Sequence, residues 1–203
     1  MSHARLSAAG PKPSGPMAGL DFAMRTVTVV DYDPAWPARF ERLRETVWPA
    51  VADLAVAIEH VGSTSVPGLA AKPVIDLDVV VRSRADVPTV VGRLTALGYE
   101  HLGDLGIAGR EAFRPPDGSP AHHLYVCRHD SPSLANHLAL RDHLRRHPER
   151  AFAYGSLKKR LASELPNDID AYVEAKTDFI VAVLREAGIA EGQLQDIERA
   201  NRR

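Results

Sequence analysis

Two aspartates stand one residue apart in a run that is otherwise apolar, Pro73-Val74-Ile75-Asp76-Leu77-Asp78-Val79-Val80-Val81. Its β-branched residues make residues 73–81 a central strand. Strand side chains alternate between faces, so Val74, Asp76, Asp78 and Val80 share one face while Ile75, Leu77, Val79 and Val81 share the other. Burying two neighbouring carboxylates without partners is costly, and their mutual repulsion adds to the cost. A divalent cation resolves the conflict. Oxygen ligands favour magnesium or manganese, held by the carboxylates together with substrate oxygens and water. The alternative is that one aspartate pairs with an arginine and the other faces solvent at the strand end.

A second feature lies upstream, where Val61-Gly62-Ser63 follows a strand candidate and precedes Asp76 by a dozen residues. Gly62 allows a tight turn and a close ligand approach. Ser63 and Ser65 add hydroxyls, and exposed amides at the start of a short helix there would favour a phosphate. A Gly-Ser pair alone reads as a plain turn; with Asp76-Leu77-Asp78 at this spacing it points to a phosphate site.

The late helices supply cations. Tyr154 and Lys158 are four residues apart, as are Tyr172 and Lys176, so each pair occupies one helical face and the two pairs could converge. Such lysines can hold a phosphate chain while the tyrosines hydrogen-bond or stack on a base; alternatively, their stems cover apolar surface and their ammonium groups stay in water. Arg110 and Arg114 share a strand face and either could meet phosphate, with a salt bridge as the other use of Arg114. Arg141 and Asp142, on a helix with His137, are weaker candidates. Arg145-Arg146-His147 reads as a solvated helix end, Trp36 and Trp48 as core, and the single cysteine, Cys127, as a small buried residue.

The spacing from Val61-Gly62-Ser63 to Asp76-Leu77-Asp78 resembles the signature of the nucleotidyltransferase superfamily. More closely, HVGSTSVPGLAAKPVIDLDVVV and the later LPNDIDAYVEAKTDFI resemble the GrpB family, which carries that fold, over residues 27–184. The resemblance implies a metal at Asp76 and Asp78, with Gly62 and Ser63 orienting the phosphates of a nucleotide. It also implies a third carboxylate from a later strand, activating the attacking hydroxyl. The matching strand here reads AHHLYVC and offers none. His123 is a metal ligand or general base in its place, or else His122 and His123 merely hydrogen-bond at a strand edge. Relatives of the family are fused to dephospho-CoA kinase, and some are named as an accessory domain for that kinase and for protein folding. This chain has no Gly-rich GxxxxGK[ST] motif, so it is not that kinase.

The elements that must position these residues can be read in outline. An apolar strand candidate spans residues 25–30. A helix with Asp33 as cap follows, burying Trp36, Phe40, Leu43, Val47, Val51 and Leu54, with Pro49 expected to kink or divide it. Residues 55–61 are strand-like, 87–97 helical, and strands over 109–114 and 122–128 flank Pro115-Pro116-Asp117-Gly118 as an antiparallel pair. Helical patterns then run over 133–146, 148–165 and 168–187. Strands precede helices, so the class is α+β: a nucleotidyltransferase-like mixed sheet with flanking helices and a C-terminal helical segment.

Composition bounds the rest. With 45% hydrophobic and 25% charged residues the chain is an ordinary globular one, and 203 residues suit one full core. Residues 1–24 read as a disordered N-terminal extension without the apolar stretch of a signal peptide, 25–188 as the GrpB-like domain and 189–203 as a polar tail that could form a loose helix. A net charge of −1 gives no broad footprint for nucleic acid or membrane. One cysteine excludes an intramolecular disulfide and a cysteine-rich zinc cluster, and a cytoplasmic location is expected.

The leading expectation is a magnesium- or manganese-dependent nucleotidyltransferase acting on a nucleoside triphosphate or other phosphorylated small molecule. Asp76, Asp78 and His123 would be catalytic, with Gly62, Ser63, Ser65, Arg110, Tyr154, Lys158, Tyr172 and Lys176 binding the nucleotide. A non-catalytic module for a nucleotide or coenzyme A precursor, with a protein partner, is the alternative. An interaction role that makes the aspartates incidental is the third reading.

Overall fold

The computed structural model describes residues 26–202; the extension expected over 1–24 lies outside them. Helix α1 (Trp36–Val51) buries Trp36, Phe40, Leu43, Val47 and Val51, as expected from their spacing; Leu54, expected on the same face, lies past the helix end and is only partly buried. Asp33 acts before the helix proper, accepting from the Ala35 amide at 2.8 Å. The helix is not divided at Pro49, which lies inside α1 two residues before its end. Residues 26–30 form no sheet strand: Val30 makes an isolated bridge with Ala71, and the Val27 amide donates to Pro166 O at 2.7 Å.

Among the described residues the strands β1 (Ala55–Val61), β2 (Ile75–Val81), β3 (Glu100–Gly103), β4 (Arg110–Arg114) and β5 (His122–Arg128) form one sheet of order β1-β2-β5-β4-β3. The pairs β1/β2, β4/β5 and β3/β4 are antiparallel, while β2 and β5 run parallel. The mixed sheet thus puts β2 in the interior. β3, Glu100-His101-Leu102-Gly103, is a polar edge strand with no apolar alternation to announce it.

The alternation of β2 sorts as expected. Ile75, Leu77, Val79 and Val81 join a core with α1, Leu124, Val126 and the buried Val90 and Leu94 of α2 (Val87–Ala96). Fully burying side chains of this size contributes about 1.5–3 kcal/mol each. On the opposite face Val80 packs with Ala112, Tyr125, Cys127 and Leu134 under α3 (Pro132–Arg146). That second face carries Asp76 and Asp78.

Helices α4 (Pro148–Glu164), α5 (Ile169–Ala175) and α6 (Thr177–Glu186) follow. The single helical pattern over 168–187 is thus two helices meeting at Lys176, whose amide bonds Val173 O at 3.3 Å in a tightened turn. Val66 and Leu69, between β1 and β2, pack against Leu144, Ala151, Tyr154 and Val183. The last element, α7 (Glu191–Asn201), corrects the polar-tail expectation. Leu194 is fully buried against Val181 and Leu184, so one apolar stripe docks an otherwise polar helix. None of the helices among the described residues is long and apolar enough to cross a membrane.

Candidate functional site

Sheet register decides the neighbours of the two aspartates. Asp76 lies between Val61 of β1 and His123 of β5, and Asp78 between Glu59 and Tyr125. Glu59 therefore faces Asp78 across an antiparallel pair, where like charges destabilise each other. Cations from α3 offset this. Arg141 Nη1 donates to Glu59 Oε2 at 2.7 Å and to His60 O at 3.1 Å. His137, one turn before Arg141, donates from Nδ1 to Asp78 Oδ2 at 2.7 Å.

Asp76 is held by the other histidine, His123 Nδ1 donating to its Oδ1 at 2.8 Å. Both aspartates are paired with histidine and neither with arginine. Burial disfavours the Asp76 charge, yet the bond from His123 and the nearby imidazoles outweigh it and hold the carboxyl below its usual range. For His137 burial again works against the charge, while Asp78 raises the imidazole above its ordinary value. Asp78 is fully buried, and its Oδ1 has no hydrogen-bond partner.

The Gly62 loop is built around Asp76. Gly62 has φ +68° and ψ −174°, a conformation open to glycine, and opens a 3-10 turn over Ser63–Ser65. A Cβ there would stand 2.1 Å from Asp76 Oδ2. The glycine is thus needed for the approach of its own backbone to the carboxylate. Ser65 Oγ donates to Gly62 O at 2.6 Å and so closes the turn, while the Arg145 guanidinium donates to Ser65 O from Nε at 3.0 Å and Nη2 at 2.8 Å.

Both Tyr-Lys pairs form. Lys158 Nζ lies 4.5 Å from the Tyr154 ring centroid and Lys176 Nζ 4.2 Å from that of Tyr172. Beyond burial, Lys176 lowers and Asp76 raises the Lys158 ammonium. The tyrosines themselves are buried, Tyr154 stacked on Phe179 at 4.9 Å, so their rings lie beneath the amines rather than open to a base. Lys158 is 2% exposed, its Nζ has no hydrogen-bond partner, and burial pushes its ammonium well below the ordinary lysine range. Arg110 is similar: buried, stacked on Tyr125 at 4.6 Å, with Nε and Nη2 unpartnered.

With this arrangement the chain can be compared with known proteins. The model of the GrpB protein family matches residues 26–186. The chain belongs to the GrpB family. It is 36% identical over 159 residues to UPF0157 protein YqkA of Bacillus subtilis, a match covering 78% of this chain and 46% of YqkA, so it spans about half of that relative. It is similar to the crystal structure of conserved protein GrpB from Enterococcus faecalis, with TM-score 0.72 and 37% identity, covering 79% of this chain and 96% of that one. A match at 27% identity to a dephospho-CoA kinase of Mycolicibacterium paratuberculosis covers 81% of this chain and 47% of that protein. The mixed sheet with flanking helices is compatible with a nucleotidyltransferase-like fold.

Within this GrpB chain, magnesium or manganese would find carboxylate oxygens at Asp76 and at the unpartnered Asp78 Oδ1. That donor chemistry fits such an ion, which binds one or two carboxylates and completes its shell with water and phosphate oxygens. Among the described residues no group of three His, Cys, Asp or Glu side chains is arranged to hold a metal.

Two participants escaped the sequence reading. The sequence places His137 only as a helix neighbour of Arg141 and Asp142, and Glu59, the carboxylate beside Asp78, lies on an earlier strand than the one expected to supply an acid. The i, i+4 spacing of His137 and Arg141 was the available signal, since it sets two cationic groups on one helical face. The remaining candidates bond neighbours within the fold. His122 bonds Tyr99 Oη at 2.9 Å and Pro120 O at 2.7 Å, Arg114 pairs with Glu100, and Arg141 Nε bonds Asp142 at 2.7 Å. Trp36 and Cys127 are buried, and Trp48 packs against the α1 core.

Proposed function

We propose that this GrpB chain binds a phosphorylated small molecule, a nucleotide or a coenzyme A precursor, with its phosphates against Lys158 and Lys176 and beside the Gly62-Ser63 loop. The observation that carries the reading is the Lys158 amine, nine-tenths buried, without a hydrogen-bond partner, and facing the fields of Lys176 and Asp76. A folded protein keeps such a group where a ligand supplies the missing acceptor. Magnesium or manganese at Asp76 and Asp78 would neutralise phosphate charge in the bound state.

Transfer of a nucleotidyl group to an acceptor hydroxyl is the catalytic form of this proposal, with His123 positioned by Asp76 as its base. Binding without transfer is favoured by the engagement of both aspartates with histidines at 2.8 and 2.7 Å. The relative named dephospho-CoA kinase makes coenzyme A precursors a class to test.

Calorimetry with magnesium and a panel of nucleoside triphosphates and dephospho-coenzyme A tests the proposal on the wild type, Lys158→Met and Asp76→Asn/Asp78→Asn. Binding that both variants weaken at least tenfold supports it, and binding that neither changes sinks it. Pyrophosphate release with an acceptor separates transfer from binding.

A further inference from the structure

Two buried cations lack acceptors, Lys158 at the Asp76 end of the site and Arg110 over Tyr125, in the row of Asp78. Lys158 belongs to the Asp76 end, since α4 packs on Val66 and Leu69 ahead of β2 and Asp76 acts on the amine. Arg110 begins β4 opposite Cys127, which in turn pairs with Val80, four residues beyond Asp76. At about 3.3 Å per residue this sets the Arg110 row roughly 13 Å along the strands from that of Asp76. Its strand is also two places from β2 in the sheet. The guanidinium folds back over Tyr125, in the row of Asp78, and its charge acts on His137.

Among the described residues no acid accepts from Arg110 Nε or Nη2. Asp78, whose charge reaches Cys127 and His137 as that of Arg110 does, is bonded by His137 through Oδ2 and accepts nothing at Oδ1. Glu100 is paired with Arg114, Glu111 with His101 at 2.8 Å, and Asp130 with Arg128 at 2.7 Å. The Tyr125 ring supports the cation but accepts no in-plane hydrogen bond, so Arg110 Nε and Nη2 remain open. These groups lie on the edge of a planar fork whose geometry suits phosphate. The start of α3 lies alongside: Ser131 approaches Gly109, where an added Cβ would stand 3.2 Å from the Ser131 Cβ.

We propose that Arg110 forms a second anion subsite, separate from the Lys158 and Lys176 end, and that it takes a phosphate carried by the acceptor. The Asp76–His123 pair then lies toward the lysines and the Asp78–His137 pair beside Arg110, as expected for a site that brings together two phosphorylated molecules. This deepens the proposed function and rests on it for the second molecule, but not for the existence of the Arg110 subsite.

Inorganic phosphate is the probe, titrated into the wild type, Arg110→Met and Lys158→Met by calorimetry and by amide chemical-shift mapping. Two sites are expected in the wild type. Arg110→Met weakens one at least tenfold, with shifts lost at residues 109–111 and 131–134, and Lys158→Met weakens the other, with shifts lost at 155–158. Arg110→Lys, which keeps charge but not the fork, serves if the Met variant does not fold, and weakens the first site alone. One site lost in both variants, or phosphate binding that no variant changes, overturns the proposal. Loss in Lys158→Met with no effect of either Arg110 variant also overturns it while leaving the lysine site standing. Loss in the Arg110 variant with no effect of Lys158→Met supports the Arg110 subsite and removes the lysine one.

Discussion

The Gly62 backbone lies so close to Asp76 that a β-carbon on the glycine would stand 2.1 Å from Oδ2 of the aspartate. The loop and the strand are therefore one constructed unit, and the aspartate is aimed by the glycine as much as by its own strand.

Replacing Gly62 with alanine imposes both a clash and a left-handed φ of +68° on a residue with a side chain. Chemical denaturation should show a loss of about 2 kcal/mol or more. A variant as stable as the wild type would show that the loop relaxes away from Asp76.

Lys158→Met should bind phosphate poorly and yet unfold at higher temperature, because a buried amine without a partner is exchanged for an apolar chain of similar length. The pH dependence is the second readout. The folded-state value of Lys158 is depressed, so the unfolded chain binds the extra proton and stability rises with pH up to the ordinary lysine value. Between pH 7 and 9 the wild type should therefore gain on the variant, by at most about 1.4 kcal/mol per pH unit. Parallel stability profiles would mean that the ammonium stays charged in the folded protein.

His60 predicts the acid limb. It stacks on Phe40 at 4.6 Å, and burial pushes its imidazole from 6.5 down to about 4. Its contribution to stability is complete above pH 6.5 and falls away as pH drops toward 4, where the unfolded chain takes up a proton that the folded one resists. Urea unfolding at pH 7 and pH 4.5 should show the wild type losing about 2 kcal/mol more than His60→Gln. Equal losses would place the acid sensitivity elsewhere.

Leu194→Ala tests whether α7 is an integral part of the fold. With Leu194 fully buried against α6, the loss should be about 2–4 kcal/mol in denaturant unfolding. A change below about 0.5 kcal/mol, the level of a surface substitution, would make α7 dispensable.

How much could be read in advance follows from the range over which each feature is encoded. The strand β1 was legible to the residue, and α2, α3 and α4 to within about two residues at each end, because a single period of apolar residues marks each, while α1 stops at Val51, short of the Leu54 expected on its face. β3 was not, since an exposed edge of four residues needs no apolar alternation. The break at Lys176 escaped because the apolar spacing continues across it and no glycine or proline marks it.

The sequence by itself determined that Asp76 and Asp78 share a face of an apolar strand and that each late tyrosine lies one turn from its lysine. Both follow from local periodicity, 2 residues in a strand and 3.6 in a helix. Only the tertiary structure decided what answers the aspartates. His123 lies 47 positions from Asp76 and His137 59 positions from Asp78, brought there by the parallel pairing of β2 with β5 and by α3 crossing the sheet. Strand order and helix docking arise from burial of whole faces against one another. A local pattern tells a residue which face it occupies, and only the packed fold tells it whom it meets.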